Sequence, residues 1–147
     1  MGMEEITIEK AEVHHAPRIA ELLAQLGYPS EPGAVARRIS ALSASEADCL
    51  WVARFRGKAV GFLAFHIIPV FPGPENLGRI TALVVDEESR EKGIGRLLAA
   101  TAERWAWDRE CARVEVTSGD WRSRAHHFYQ DLGYAMESKR FVKRKTE

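Results

Sequence analysis

The chain has 147 residues, with 21 Lys or Arg against 21 Asp or Glu, so its formal net charge is zero. This length suits one domain with one sizeable core, and we expect residues 1–147 to form a single domain. A neutral chain lacks the overall positive charge with which proteins hold nucleic acid or an anionic membrane, so neither is expected as a partner.

The cysteines and the N-terminus favour a cytoplasmic protein. Cys49 and Cys111 follow no C-x-x-C or Cys/His spacing, so neither a disulfide framework nor a metal site is expected. No run approaches the roughly 18 apolar residues of a membrane span. Residues 1–10 also lack the pattern of a signal peptide.

In chain order, hydropathy first predicts a strand, two helices and a β-hairpin. The expected ranges are 6–9, 14–26 and 32–42, then 50–55 and 59–68 around a turn at 56–58. Pro17 near the start of the first helix and Gly27 after its end are typical of helix termini.

The second half predicts a proline-rich loop, an apolar strand, a long helix, a strand, a shorter helix and one or two closing strands. The expected ranges are 69–74, 79–85, 93–110, 113–118, 123–132 and 134–143. Because the strands first pair as a hairpin and then alternate with helices, we expect an α/β sandwich with a mixed sheet.

The most informative segment joins the apolar strand to the long helix. Gly93 and Gly95 leave the backbone N–H groups of this turn unobstructed, and the helix adds the positive end of its dipole. A phosphate or pyrophosphate would suit that geometry. The segment is not a P-loop, because Lys92 precedes the first glycine, and Leu98 replaces the third glycine of a Rossmann turn. A tight turn without a ligand is the alternative.

Two motifs together resemble a known family. Arg90-x-x-Gly93-x-Gly95 after an apolar strand is similar to the (R/Q)-x-x-G-x-(G/A) signature of the GNAT superfamily of N-acetyltransferases. Residues 125–134, A-H-H-F-Y-Q-D-L-G-Y, resemble that superfamily's A-x-x-F-Y-x-x-x-G-(F/Y) helix. The resemblance covers nearly the whole chain. It implies a GNAT-like α/β fold, with a mixed, mostly antiparallel central sheet flanked by about four helices.

The resemblance implies an acetyl-CoA-dependent enzyme that acetylates a primary amine by direct attack in a ternary complex. The pantetheine arm would pair with the strand backbone, and the pyrophosphate would lie on the signature turn. The implied cofactor contacts are Leu83, Val84, Val85, Arg90, Glu91, Lys92, Gly93, Ile94, Gly95, Arg96 and Arg122. Tyr129 is the implied acid that protonates the departing thiolate. The alternative is that Tyr129 is a core residue, because it belongs to an apolar stripe along its helix.

The general base and the acceptor stay open. Arg79 stands where several family members carry a basic carboxylate. The general base could be a water relay or one of five side chains, namely His66, Glu75, Asp120, His126 and His127. The acceptor is open as well. An apolar Phe71 near the acid Glu75 would favour a cationic amine, whereas Arg79 would favour an amine that also carries a carboxylate or phosphonate group.

Three further expectations concern partners. The motif around Arg122 resembles that of bacterial members that act on small amines, so a small-molecule acceptor is expected. Family members often dimerise, which makes a homodimer one expected state, although no segment of the sequence indicates an interface. The alternative functions are a CoA-binding sensor or interaction module without catalysis and, on the basic tail at 139–145, nucleic-acid binding.

Overall fold

The computed structural model describes residues 5–117, 123–137 and 140–146. The chain forms two compact units, Met1–Thr117 and Ser118–Glu147. The strands of the first unit are β1 (Ile6–Lys10), β2 (Asp48–Phe55), β3 (Lys58–Pro69), β4 (Asn76–Val85) and β5 (Cys111–Val116). Its α-helices are α1 (Ala16–Leu26), α2 (Pro32–Ser43) and α3 (Ile94–Trp107). The predicted fold class, a mixed and mostly antiparallel sheet with helices, is confirmed.

The five strands lie in chain order in one sheet, and every pair is antiparallel except β4 with β5. Three strands carry one extra residue each: Val60 in β3 against β2, Thr81 in β4 against β3, and Ala112 in β5 against β4. Because side chains alternate between the two faces of a sheet, each extra residue changes which side chains share a face.

Apolar clusters cover both faces of the sheet. Helices α1 and α2 pack on one face, where Ile19, Ile39 and Phe62 are buried, and α3 packs on the other over Phe65. At Gly61 in β3, an added Cβ would lie 3.0 Å from Leu98 Cδ1 of α3, so glycine permits this close approach. Among the described residues, no helix has both the length and the apolar character needed to cross a bilayer.

Some element boundaries differ from the predictions. Helix α1 begins at Ala16 rather than at residue 14, because Val13–His15 forms a separate 3₁₀ helix. Strand β4 begins at Asn76, earlier than predicted, because the Asn76 N–H donates to the Glu110 carbonyl at 2.9 Å. Helix α3 ends at Trp107 rather than at residue 110, and Glu110 has a left-handed backbone with φ of 65°.

The second unit contains α4 (Ser123–Asp131), where a helix was expected. Gly133, with φ of 95°, turns the chain after this helix, and the Tyr134 N–H donates to the Tyr129 carbonyl at 3.0 Å. The prediction of closing strands over 134–143 is wrong for the described residues 134–137 and 140–143, which form no strand. The described part of this unit offers no neighbouring strand with which a ladder could form.

Candidate functional site

Strand β4 loses one neighbour halfway along its length. Strand β5 pairs with it only over Asn76 to Ile80. From Thr81 onward, no described strand of the first unit lies on that side of β4. Within the described first unit, the second half of β4 therefore has an open edge, which begins at its extra residue.

Two residues direct their backbone groups to this edge. The Asp86 N–H donates to the Val60 carbonyl at 2.8 Å, so these two residues form a hydrogen-bonded pair between β4 and β3. Because such pairs alternate along an antiparallel ladder, Leu83 and Val85 direct their N–H and C=O groups away from β3. The backbone of Val84 turns to β3 instead, and its side chain is buried. An extended ligand could thus pair with Leu83 and Val85.

The open edge leads into the predicted anion turn. Glu91 and Gly93 have left-handed backbones, with φ of 67° and 83°. Gly93 is the N-cap of α3 and has no side chain to accept from the first-turn N–H groups of Ile94, Gly95 and Arg96. These donors, together with the helix dipole, favour an anion at this end of α3. The Ile94 side chain is buried, so only its backbone is available to a ligand.

Three cationic side chains surround the turn. Arg90 Nε donates to the Val85 carbonyl at 3.2 Å, which holds this guanidinium at the end of the open edge. Lys92 Nζ lies 5.7 Å from the centroid of the Phe55 ring, and Arg96 is exposed in the first turn of α3. The turn therefore combines backbone donors with local positive charge, as a phosphate site requires.

A buried carboxylate anchors the start of this turn to α1. Asp86 Oδ2 accepts from Arg18 Nη2 at 2.7 Å, and its Oδ1 accepts from Gln25 Nε2 at 3.1 Å. Burial raises the pKa of the Asp86 carboxyl, but hydrogen bonds from Gln25, Arg18 and the Glu88 N–H outweigh burial, and the pKa lies below its ordinary value. Arg18 Nε also donates to the Ala59 carbonyl at 2.7 Å. The network fixes the turn to the helix and to β3.

A cavity of about 400 Å³ lies between α1, α2 and the sheet. Its wall is mostly aliphatic or aromatic, from residues such as Ile19, Leu42 and Phe62. The polar side chains that line it are Ser30, Arg38, His66 and Thr81. No carboxylate is among its described lining residues, and the exposed Arg38 has no ion pair within the described part of the chain. The cavity therefore suits a small molecule with an apolar body.

A hydrogen-bonded chain of three side chains enters this cavity. His66 Nδ1 lies 2.6 Å from Asp48 Oδ1, and His66 Nε2 lies 2.7 Å from Thr81 Oγ1. Burial raises the pKa of the Asp48 carboxyl, but hydrogen bonds from Ser45 and His66 and the charge of His66 lower it below its ordinary value overall. Of these three residues, the sequence indicated only His66 as a candidate base. Its partners Asp48 and Thr81 lie on two other strands, and only the folded sheet brings them to it.

The structure separates the remaining base candidates. Arg79 Nη2 lies 2.9 Å from Glu115 Oε1 of β5, a carboxylate that also pairs with Arg113, so the Arg79 guanidinium is held in an ion pair away from the role of a base. Glu75 is exposed in the loop before β4 and does not line the cavity. Asp120, like the predicted cofactor contact Arg122, lies outside the described residues. His126 and His127 belong to α4 in the second unit. Within the described residues, no group of three or more His, Cys, Asp or Glu could hold a metal.

Tyr129, the predicted acid, lies on α4 in an aromatic cluster. Its ring centroid is 5.1 Å from that of Phe128 and 5.6 Å from that of Tyr134, both in edge-to-face geometry. Such contacts restrict the orientation of the phenol ring.

The chain is similar to known proteins both in sequence pattern and in fold. The sequence model of the Acetyltransferase (GNAT) family matches residues 16–134, whereas no curated protein matches the chain significantly. A solved transcriptional regulator from Bacillus halodurans C-125 is 21% identical, with a TM-score of 0.87 over 96% of this chain and 100% of that one. An aminoglycoside N-acetyltransferase in complex with CoA is 18% identical, with a TM-score of 0.86 over 98% and 97%. A ribosomal-protein-alanine N-acetyltransferase from Brucella melitensis biovar Abortus 2308 is 20% identical, with a TM-score of 0.77 over 96% and 100%.

Proposed function

Because the chain belongs to the acetyltransferase (GNAT) family, we propose that it transfers the acetyl group of acetyl-CoA to the primary amine of a small molecule, by direct attack in a ternary complex. The family and the enzyme class expected from the two motifs are confirmed by that match. The observation that carries the proposal is the continuity of the open β4 edge with the glycine turn. One elongated ligand with an amide-containing arm and a diphosphate can contact both.

The first unit supplies two kinds of contact for acetyl-CoA. Leu83 and Val85 offer backbone donors and acceptors to the amides of the pantetheine arm. The N–H groups of Ile94 to Arg96 would hold the diphosphate, and Arg90 and Lys92 would add charge-assisted contacts. Arg122 stays a proposed contact from the second unit.

The reaction needs few protein groups. The amine nitrogen forms a bond to the thioester carbonyl carbon, the C–S bond breaks, and the sulfur leaves with the electron pair. Backbone N–H groups near the start of the open edge would stabilise the tetrahedral oxyanion. The Tyr129 hydroxyl would donate its proton to the sulfur, because a neutral thiol is the better leaving group.

The cavity lining favours one class of acceptor. A polyamine or an aminoglycoside carries several positive charges, and the described lining residues offer them no carboxylate. Arg38 instead provides a positive charge without an ion-pair partner among the described residues. The proposed acceptor is therefore a primary amine with an apolar body and a carboxylate or phosphonate group.

The proposal is tested by the release of CoA thiol from acetyl-CoA across a panel of amines. Apolar amino acids and aminophosphonates should react, and matched amines that lack the acid should have a higher KM. Arg38→Gln should raise the KM of the acidic amines about tenfold, a loss of about 1.4 kcal/mol. Arg37→Gln is the matched control, because Arg37 is an exposed neighbour on α2 that does not line the cavity.

Three outcomes would change this conclusion. Equal turnover of polyamines and acidic amines would refute the acceptor class alone. Tight CoA binding without transfer to any amine would favour the sensor function, and no CoA binding would refute both. The single domain over residues 1–147 and the homodimer stay predictions, which limited proteolysis and sedimentation would test.

A further inference from the structure

The chain of side chains from Asp48 to Thr81 has the composition of a proton relay. We propose that His66 is the general base of the reaction, that Thr81 carries the proton to it from the acceptor, and that Asp48 is its positioning residue. This inference rests on the proposed acetyl transfer. It assigns a base to a site that lacks a carboxylate on β4 at the position of Arg79.

The hydrogen bonds fix the protonation states that a base requires. The Asp48 carboxylate can only accept, so His66 Nδ1 donates its proton across the 2.6 Å contact. His66 Nε2 is then the acceptor of the ring and receives the hydroxyl proton of Thr81 across 2.7 Å. The lone pairs of the Thr81 oxygen remain available to an N–H donor in the cavity.

The position of Thr81 connects the relay with both substrates. Thr81 is the extra residue of β4, and the pairing of β4 with β5 ends one residue earlier, at Ile80. The hydroxyl therefore lies where the open edge begins, and the same side chain lines the cavity. An amine held there is next to the edge along which the thioester arm would lie.

Three charged groups face His66 from the elements packed around it. From β2, Asp48 contacts the ring directly. From β4, Arg79 is opposite His66 in the register, but its guanidinium is paired with Glu115. From α2, Arg38 lines the same cavity and is exposed to solvent. The contacting charge is thus the carboxylate, which stabilises the imidazolium that forms during proton transfer.

The proton steps balance as follows. The acceptor ammonium gives one proton to the Thr81 oxygen, and the hydroxyl proton of Thr81 moves to His66 Nε2. The neutral amine then forms the N–C bond to give the tetrahedral oxyanion, which collapses as the C–S bond breaks. The thiolate takes a proton from the Tyr129 hydroxyl, and the nitrogen loses its second proton to solvent. Before the next cycle, His66 releases its proton to solvent and the Tyr129 phenolate regains one from solvent.

A matched pair of variants at Thr81 tests the relay. Thr81→Val removes only the hydroxyl and keeps the branched shape, whereas Thr81→Ser keeps the hydroxyl. With the best acidic amine, we expect Thr81→Val to lower kcat about 100-fold, and Thr81→Ser to recover most of it. The Kd of CoA, measured by calorimetry, should be unchanged in both. Because Thr81 is exposed, neither substitution should prevent folding.

A pH profile separates a base from a structural residue. In the wild type, kcat/KM should fall as the pH falls through the range in which histidines gain a proton. His66→Gln should lose this fall in kcat/KM at low pH. Its much lower kcat/KM should instead change with pH only as the amine substrate itself loses its proton in solution. Asp48→Asn should keep the fall in kcat/KM at low pH, because the base itself is unchanged.

Each outcome decides between the proposals. If the wild type acetylates no amine, the proposed function fails and the relay fails with it. If the wild type acetylates amines but Thr81→Val and Thr81→Ser react equally fast, the relay is refuted and the acetyl transfer stands. The same holds if His66→Gln keeps the wild-type pH profile.

Discussion

Removal of the Asp86 carboxylate should destabilise the first unit strongly. Its side chain is 10% exposed and that of Arg18 is 19% exposed, and their charged atoms are 2.7 Å apart. Loss of one partner from a buried ion pair costs about 3–5 kcal/mol. Arg18 keeps its contacts with Glu21 and the Ala59 carbonyl, so we expect Asp86→Ala to cost about 3 kcal/mol, the low end of that range.

Urea unfolding measured by tryptophan fluorescence would give this cost. With a slope of about 2 kcal/mol per M, the midpoint of Asp86→Ala should fall by about 1.5 M. Glu21→Ala is the matched control, because it removes the other carboxylate on Arg18, at 2.9 Å, from a side chain that is 67% exposed. An exposed pair contributes about 0–1 kcal/mol, so this midpoint should hardly move. Equal shifts for the two variants would refute the assigned role of Asp86.

The same carboxylate should make stability depend on pH. The pKa of Asp86 in the folded protein lies below its ordinary value of 3.8, so its contribution to stability is complete above that value. It is lost as the pH falls through the folded-state pKa. The difference in unfolding free energy between the wild type and Asp86→Asn should therefore be largest near neutral pH and shrink in acid. A difference that does not change with pH would contradict this assignment.

Three further predictions concern other positions. Gly78→Ala places a Cβ in steric conflict with Phe65 Cζ in the core and should cost about 1–3 kcal/mol in thermal unfolding. Gly93→Ala and Gly73→Ala both strain a left-handed backbone without a clash, by about 1–2 kcal/mol. Only Gly93→Ala should weaken CoA binding in calorimetry, and equal weakening would refute the role of the turn. Tyr129→Phe should lower kcat about 100-fold with CoA affinity unchanged, whereas an unchanged kcat would remove Tyr129 as the acid.

The glycine turn could be predicted from the sequence because its determinants are local. A strand, two glycines and a helix follow each other within one short segment, and the residues that matter there act through their own backbones. The structure adds what the motif does not encode. Leu83 and Val85 direct backbone groups to the open edge, whereas Val84 does not. The side chain of Arg90 is also held by the Val85 carbonyl.

The relay could not be predicted because it depends on two extra residues in the sheet. The turn at Arg56 and Gly57 pairs Phe55 with Lys58, and an uninterrupted hairpin would then place Phe65, not His66, opposite Asp48. The extra residue Val60 shifts the register by one and brings His66 to Asp48. The hydropathy pattern shows the alternation along each strand but not the pairing between strands. A one-residue shift in register can therefore be recognised only once the pairing is known.

The Arg79 position shows the same limit for electrostatics. In the sequence, this arginine indicated an acidic acceptor, because it stands at the position where family members carry a base. In the structure it pairs with Glu115 at 2.9 Å, a partner supplied by the parallel strand β5. Among the described residues, the cation without an ion-pair partner that would meet the proposed acidic acceptor is instead Arg38, on a helix whose approach to the cavity only the tertiary structure reveals.

The central claim is acetyl transfer from acetyl-CoA to a small acidic amine. Mass spectrometry of a reaction with acetyl-CoA and an apolar amino acid, read together with thiol release, tests it most directly. We predict one N-acetylated amine for each thiol released, and no acetylated product when the amine is left out. Thiol release without an acetylated amine, or no release with any amine of the panel, would contradict it.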